Sequence, residues 1–232
     1  MAMVLCVSCK KDDDNNEPNG GGNTGGGGTG GGTIAGHTYV DLGLPSGLLW
    51  ATCNVGADKP EDYGNYFAWG ETAVKDYYSL STYKWCNGDW DNLMLTRYNT
   101  DSYYGTVDNR TILELADDAA HVNWGGDWRM PTREEMNELK NNCTWTWTTQ
   151  GGNNGYRVTG SNGSSIFLPA AGCYYNGGLY GAGFHGYYWS SSLYTGRPNG
   201  AYYLYFDSGD VDMDYYGRYC GHSVRPVCPS QK

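Results

Sequence analysis

Cationic residues and long apolar runs are scarce in this chain. Its 232 residues include only 15 Lys or Arg against 25 Asp or Glu, so the net charge is −10. Contact with nucleic acid or with an anionic membrane surface requires clustered cations, so neither is an expected partner. No run of about 20 apolar residues occurs, and the sequence therefore predicts no transmembrane helix.

Recognisable catalytic motifs are missing as well. The sequence contains no G-x-S-x-G and no phosphate-binding loop with a Lys-Ser/Thr end. None of the four histidines belongs to a His-x3-His-x-Glu iron motif, and each is predicted to be structural or on the surface; they are His37, His121, His185 and His222. We therefore expect no enzyme activity, no cofactor and no metal site.

One acidic motif leaves an alternative open. Asp210-x-Asp212-x-Asp214 begins like a calcium-binding loop, but Tyr215 replaces the required Gly and position twelve is Gly221 instead of Glu. We expect no metal site, and the alternative is a weak surface Ca²⁺ site formed by these three carboxylates.

The N-terminal region carries targeting features instead of fold signals. Leu5 to Cys9 resembles a bacterial lipobox, which makes Cys9 the lipid-bearing residue. The acidic segment at 10–14 resembles the tag that sends Bacteroidetes lipoproteins to the outer face of the outer membrane. Residues 19–32 contain only Gly, Asn and Thr, a composition typical of a flexible tether. We predict a lipidated, tethered region at 1–33 and one folded domain at 34–232.

The sequence of the folded region predicts short strands and one or two helices. The segments 40–42 and 48–51, joined by a Gly-containing turn, indicate a hairpin. A capping box of Thr132 and Glu135 predicts a helix that ends near Asn142 and buries Met136 and Leu139. A second helix is predicted over 115–122. The order of elements favours an α+β fold, with two short helices and a large loop-rich region after residue 144.

The most informative segment is 187–228, which predicts a hairpin with Ser208-Gly209 as its turn. Tyr205 would then pair with Asp212, and Tyr203 with Asp214. Strand alternation places Leu204, Phe206, Val211 and Met213 on one face, and the tyrosines and aspartates on the other. Because a solvated face would carry Lys, Glu and Thr, this composition indicates a binding surface.

Six phrases in order carry a family resemblance: 41–57, 63–72, 117–132, 166–172, 187–192 and 223–228. Together they resemble the Fibrobacter succinogenes major paralogous domain over 37–228. The resemblance implies a C-type lectin-like fold of the formylglycine-generating-enzyme type, with a small twisted antiparallel sheet. It also places Cys53 and Cys228 on neighbouring terminal strands and so implies a disulfide between them. Four other cysteines, Cys86, Cys143, Cys173 and Cys220, leave three further pairings open.

Segment 187–227 also resembles the variable region of proteins diversified by retroelements. In such proteins AAC codons become any NNC codon, an alphabet that lacks Trp, Lys, Glu, Gln and Met. The positions predicted to be exposed between 193 and 221 stay within that alphabet, whereas Met213 and Leu204 would belong to the constant scaffold.

The expected function is ligand binding by a monomeric, lipid-anchored protein on the outer membrane surface. Its partner would be a macromolecule, either protein or glycan, on another cell, a phage or a host. The predicted binding residues are Tyr194, Thr195, Arg197, Asn199, Tyr203, Tyr205, Asp207, Asp210, Asp212, Asp214, Tyr215, Tyr216 and Tyr219. The alternatives are a Ca²⁺-assisted carbohydrate-binding module, a relative of formylglycine-generating oxidases and a component of a surface fibre. Five tryptophans are expected in the core: Trp50, Trp69, Trp124, Trp128 and Trp189.

Overall fold

A computed structural model describes residues 30–89 and 91–230 of the chain. Strands account for 36% of it and helices for 12%. The strands are β1 (Gly31–Ile34), β2 (His37–Asp41), β3 (Leu49–Ala51), β4 (Tyr66–Phe67), β5 (Thr144–Gln150), β6 (Asn153–Thr159), β7 (Ser165–Pro169), β8 (Cys173–Tyr175), β9 (Gly178–Tyr180), β10 (Gly186–Leu193), β11 (Gly200–Phe206), β12 (Val211–Gly217), β13 (His222–Ser223) and β14 (Val227–Cys228). The α-helices are α1 (Ala119–Trp124) and α2 (Arg133–Asn142).

The strands form four small sheets. A four-stranded sheet has the order β1-β2-β3-β14, so the C-terminal strand closes against the first hairpin. A five-stranded sheet has the order β12-β11-β10-β13-β4, in which only β10 and β13 run parallel. The strands β5-β6-β7 form a third sheet, and β8 pairs with β9. The hairpin of interest, β11–β12, therefore lies at one edge of the largest sheet.

The predicted fold class is wrong, because the structure is mostly β and not α+β. Four separate sheets replace the single small twisted sheet of the expected C-type lectin-like arrangement, and the described chain has only one helix of seven or more residues. The Gly-rich segments after residue 144 caused the error. At Gly151, Gly152 and Gly177 the backbone has positive φ, so these residues form tight turns between strands, not long loops.

Local helix signals gave one correct and one incorrect prediction. Helix α2 begins after the Thr132–Glu135 capping box, ends at Asn142 and buries Met136 and Leu139, as predicted. The predicted helix over 115–122 is wrong. Residues 115–117 form a 3-10 turn, and the Asp118 carboxylate accepts the His121 N–H, so α1 begins only at Ala119. The buried Asp118 is thus the N-cap of α1, and it divides the segment that the sequence predicts as one helix.

The five-stranded sheet is packed on both faces. One face places Leu204 and Phe206 against Met136 and Leu139 of α2 and against Trp50. The other face carries Trp69, Trp189 and Tyr203 in a second cluster. Four of the five tryptophans predicted in the core are buried, whereas Trp124 is half-buried and stacks on His37 with ring centroids 3.8 Å apart.

A buried arginine links two of the sheets. Arg225 is 1% exposed, and its guanidinium donates to the carbonyls of Ala51 in β3 and Phe167 in β7 and to the Asn54 side chain. Its fixed fork of donors satisfies several carbonyls at once, which a single lysine ammonium could not match in geometry. The four-stranded and three-stranded sheets are therefore held together by polar as well as apolar contacts.

The predicted domain boundary at 33/34 lies inside β1, which pairs Gly31 with Val40 and Gly32 with Tyr39. The last residues of the expected tether therefore belong to the folded domain. The predicted lipidation site Cys9, the acidic tag and most of the tether lie outside the described residues.

The six cysteines in the described ranges are free thiols, so the expected Cys53–Cys228 disulfide is not formed. Cys228 is fully buried in β14 beside Ala51 and Trp128, where it fills space as a small apolar side chain. Burial raises the pKa of the Cys173 thiol to about 11, which keeps this thiol protonated.

Candidate functional site

The β11–β12 hairpin has the register predicted from its sequence. Tyr205 lies opposite Asp212, Leu204 opposite Met213 and Tyr203 opposite Asp214. The turn is closed by the Asp207 side chain, which accepts the N–H groups of Gly209 and Asp210. Such a short Asx-type turn leaves no freedom for a shift of register, which would expose the core residues Leu204 and Phe206.

Tyr203 does not lie on an exposed face, contrary to prediction. It is only 4% exposed, and its ring lies 5.6 Å from Tyr187, 6.0 Å from Trp189 and 5.1 Å from His222. Burial, followed by the nearby Asp214 carboxylate, raises the pKa of Tyr203 far above its usual value. Alternation in β11 assigned the face correctly, but that face is covered by a second aromatic layer.

Part of this layer is a histidine that the sequence predicted to be structural or on the surface. His222 is fully buried, stacks on Trp189 at 3.9 Å, and neither ring nitrogen has a hydrogen-bond partner among the residues that the structure describes. Burial holds the pKa of His222 well below its usual range, so the imidazole is neutral at physiological pH. It forms the floor on which Tyr187, Tyr203 and Tyr216 rest.

Tyr205 is half-buried and fixed in place by its hydroxyl. His185 Nδ1 lies 2.9 Å from this hydroxyl, which in turn donates to Asp207 over 3.3 Å. Burial, aided by the Asp207 charge, raises the pKa of Tyr205, so the phenol stays neutral. This residue presents a ring whose position is set before any ligand arrives.

The accessible part of the predicted site is the far half of β12 and the turn at 194–199. Tyr215 is 38% exposed, Tyr216 is 40% exposed, and Tyr194 stacks on Tyr215 with centroids 3.8 Å apart. A cleft of about 170 Å³ opens here; its lining residues are Arg197, Asn199, Gly200, Tyr215, Tyr216 and Gly217. Four of the predicted binding residues thus share one concave surface, which we call the tyrosine cleft.

A second cleft adjoins it and was not predicted. It measures about 220 Å³ and is formed by Asp91, Asn92, Leu93, Tyr103, Tyr104 and Asn199, so Asn199 lies between the two clefts. Tyr103 is 83% exposed, an extreme value for an aromatic residue. The signal was present in the sequence as Tyr103-Tyr104 shortly after Asp101, since the predicted face also combines tyrosines with aspartates.

One buried residue, also missed, fixes the two clefts relative to each other. Arg218 is 1% exposed and donates to the carbonyls of Arg97 and Tyr98 on one side and of Pro198 on the other. Its Nε donates to the Tyr83 hydroxyl, and its guanidinium lies 4.8 Å from the centre of the Trp69 ring. The loop at 91–105 and the turn at 194–199 are therefore joined by a rigid fork.

The remaining predicted residues surround this region without entering the tyrosine cleft. Thr195 is exposed in the turn, and Tyr219 is half-buried with its ring 6.1 Å from Tyr175. Asp210, Asp212 and Asp214 are exposed along the outer edge of β12. Lys140 of α2 donates to Asp212 over 2.8 Å, and this contact lowers the pKa of the Asp212 carboxyl.

Within the described ranges, no group of three or more His, Cys, Asp or Glu side chains is placed to hold a metal ion. No helix of the described chain is long and apolar enough to cross a membrane. A larger cavity of about 490 Å³ lies against β2, β3 and α1, with His37, Cys53, Asp58 and Trp124 among its walls. It shares no residue with the tyrosine cleft, and it lacks the cluster of exposed tyrosines found there.

Comparison with known proteins gives one result. Neither the curated proteins nor the solved structures include a match to this chain. A protein-family model described as the Lcl C-terminal domain matches residues 43–228, nearly the span over which the sequence shows its family resemblance. The match covers most of the chain and includes β3 to β14, hence both clefts and Arg218. The chain therefore belongs to the Lcl C-terminal domain family.

Proposed function

We propose that this domain binds a macromolecular ligand through the tyrosine cleft and does not catalyse a reaction. The observation that carries the proposal is the pair of exposed tyrosines, Tyr215 and Tyr216, beside Arg197 and Asn199 in a concave surface. Tyr supplies a large contact area with few rotamers to freeze and a hydroxyl for hydrogen bonding. Most large aromatic side chains of a folded protein are buried, and a group of them that is exposed is typical of an interaction site.

Rigidity supports the proposal. Tyr215 is held by stacking on Tyr194, and the aromatic cluster around His222 supports Tyr216. A surface that is ordered before the ligand arrives loses less conformational entropy on binding, so more of the contact energy appears as affinity. Burial raises the pKa of Tyr216, so this hydroxyl remains a neutral donor and acceptor.

Charge indicates what kind of ligand fits. The chain has a net charge of −10, and Asp214 and Asp212 follow the cleft residues Tyr216 and Tyr215 along β12 towards the turn, where Asp207 and Asp210 lie. Complementary charge speeds association and discriminates among partners. The ligand of this proposal is therefore a protein or glycan surface with basic or hydrogen-bond-donor groups, and an acidic polymer is repelled.

The proposal also covers the cellular location of the domain and the origin of its binding segment. In this proposal the domain is a tethered monomer on the outer surface of the outer membrane, and the lipobox-like Cys9 and the Gly-rich segment of the sequence support that location. Segment 187–227 is one product of retroelement diversification, which agrees with the cluster of candidate contact residues at 194–216. A reverse-transcriptase gene beside a near-repeat of the segment's coding sequence is the observation that tests this origin.

The test uses the full chain as bait for a random peptide library displayed on phage. We expect enriched peptides with an excess of Lys and Arg. The double variant Tyr215→Ala/Tyr216→Ala should weaken their binding by tenfold or more, about 1.4 kcal/mol. Tyr77→Ala is the matched control, because Tyr77 is 47% exposed but is not among the residues that line the cleft.

Other outcomes would contradict the proposal. Enriched peptides that bind the double variant and the wild type equally would place the site elsewhere. Binding to a glycan array that is abolished by a chelator would favour the Ca²⁺-assisted carbohydrate-binding alternative.

A further inference from the structure

The outer edge of β12 has its hydrogen-bonding groups arranged in a regular way. Asp207 N–H donates to the Asp210 carbonyl at the turn, and Arg218 N–H donates to the Asn199 carbonyl at the far end, each over 3.1 Å. Hydrogen-bonded pairs alternate along an antiparallel ladder, so the backbone groups of Val211, Met213, Tyr215 and Gly217 point away from β11. No described strand pairs with β12 on that side.

Three of these four outward N–H groups donate to the carboxylate of the preceding aspartate. Val211 N–H donates to Asp210 Oδ1 over 2.9 Å. Met213 N–H donates to Asp212 Oδ1 over 2.8 Å, and Tyr215 N–H to Asp214 Oδ1 over 2.7 Å. These are the lengths of charge-assisted hydrogen bonds. The alternating aspartates thus cap three of the four outward donors along the open edge of this strand, at Val211, Met213 and Tyr215.

An open, uncapped edge of this kind would be a template for another strand. Strand β12 has seven residues and no Pro, and its half-buried Val211 and Met213 share the core face of the sheet. A second β12 could approach antiparallel about a two-fold axis at Met213, with Val211 of each copy opposite Tyr215 of the other. The occupant that fits this edge is therefore a second copy of the same chain.

We propose that Asp210, Asp212 and Asp214 keep the protein monomeric by capping the edge N–H groups of β12. Without the caps, β12 pairs with β12 of a second molecule. The assignment concerns the backbone edge and not the tyrosine cleft, so it stands or falls independently of the proposed ligand binding.

The test compares two triple variants of the full chain. Asp→Ala at 210, 212 and 214 removes both caps and charges, whereas Asp→Asn removes the charges but keeps an Oδ1 that accepts the same N–H. We expect the wild type and the Asn variant to be monomers by gel filtration with light scattering, and the Ala variant to form a concentration-dependent dimer. A monomeric Ala variant overturns the proposal, and so does an Asn variant that dimerises as strongly, since repulsion alone would then explain the monomer.

A single variant keeps the test valid if the triple variant folds poorly. In Asp214→Ala, amide hydrogen exchange measured by NMR should become several-fold faster at Tyr215 and stay unchanged at Val211. Unchanged exchange at Tyr215 would show that the carboxylate does not cap the edge and would overturn the proposal.

Discussion

The two strands of the β11–β12 hairpin both carry tyrosines but have different surroundings. β11 is an interior strand, paired on both sides and packed on both faces, and its Tyr203 is 4% exposed. β12 is the edge strand, and its Tyr215 and Tyr216 are 38% and 40% exposed. Both strands alternate as the sequence predicts. Alternation therefore assigns a side chain to a face, whereas the position of the strand in the sheet decides whether that face meets solvent.

Because of this difference, the tyrosines of the predicted site have two roles, one in packing and one in the accessible surface. Tyr203 supports the site from below through its contacts with Trp189 and His222. Tyr215 and Tyr216 lie on the neighbouring strand β12 and are exposed. The same residue type on two adjacent strands thus serves packing in one place and is available for recognition in the other.

The largest expected effect is on the interior strand. Tyr203→Ala should lower the free energy of unfolding by about 3–5 kcal/mol, because it removes a buried ring and leaves a cavity in the aromatic cluster. The matched variant Tyr216→Ala should cost less than about 1 kcal/mol, since its ring is already in contact with water. Urea titration followed by tryptophan fluorescence measures both. Equal losses would mean that β11 and β12 do not differ as described.

The next effect concerns pH and the buried floor of the site. Burial depresses the pKa of folded His222, whereas in the unfolded chain it is about 6.5. Above pH 6.5 the His222 imidazole is neutral in both the folded and the unfolded state. As pH falls below it only the unfolded state takes up the proton, so stability falls by up to about 1.4 kcal/mol per pH unit until the folded pKa is reached.

Replacement of this histidine isolates its contribution. His37 also has a pKa lowered by burial, so the wild-type pH dependence has more than one source. His222→Phe keeps a stacked ring over Trp189 and removes the proton site, and the difference between the two proteins should grow between pH 6.5 and pH 5 in denaturant titrations. A difference that is constant with pH would contradict a buried neutral imidazole.

The smallest effect belongs to the edge strand. Lys140→Ala removes the ion pair with Asp212, whose side chain is 61% exposed, and should cost about 0.5 kcal/mol or less in thermal melts. Added salt should reduce even that difference, because an exposed pair is screened. A loss as large as that of Tyr203→Ala would mean that α2 holds β12 far more tightly than its surface contacts indicate.

Sequence reasoning succeeded where the cause is local. The Thr132 capping box, the Ser208-Gly209 turn and the hairpin register depend on neighbouring residues only, and all three are present in the structure. It failed where distant segments decide the outcome. The aromatic rings that bury Tyr203 come from β10 and β13. Arg218, distant in sequence, fixes the loop at 91–105 through the carbonyls of Arg97 and Tyr98.

The amino-acid sequence by itself determined the pairing of the hairpin, the helix α2 and the acidic, tyrosine-rich character of the binding segment. Each follows from propensities and periodicities within a few residues. Tertiary structure alone decided the division into four sheets, the burial of Tyr203 and His222, and the joining of two clefts at Asn199. These depend on which strands become neighbours, since a face is exposed only where no other part of the chain can pack against it.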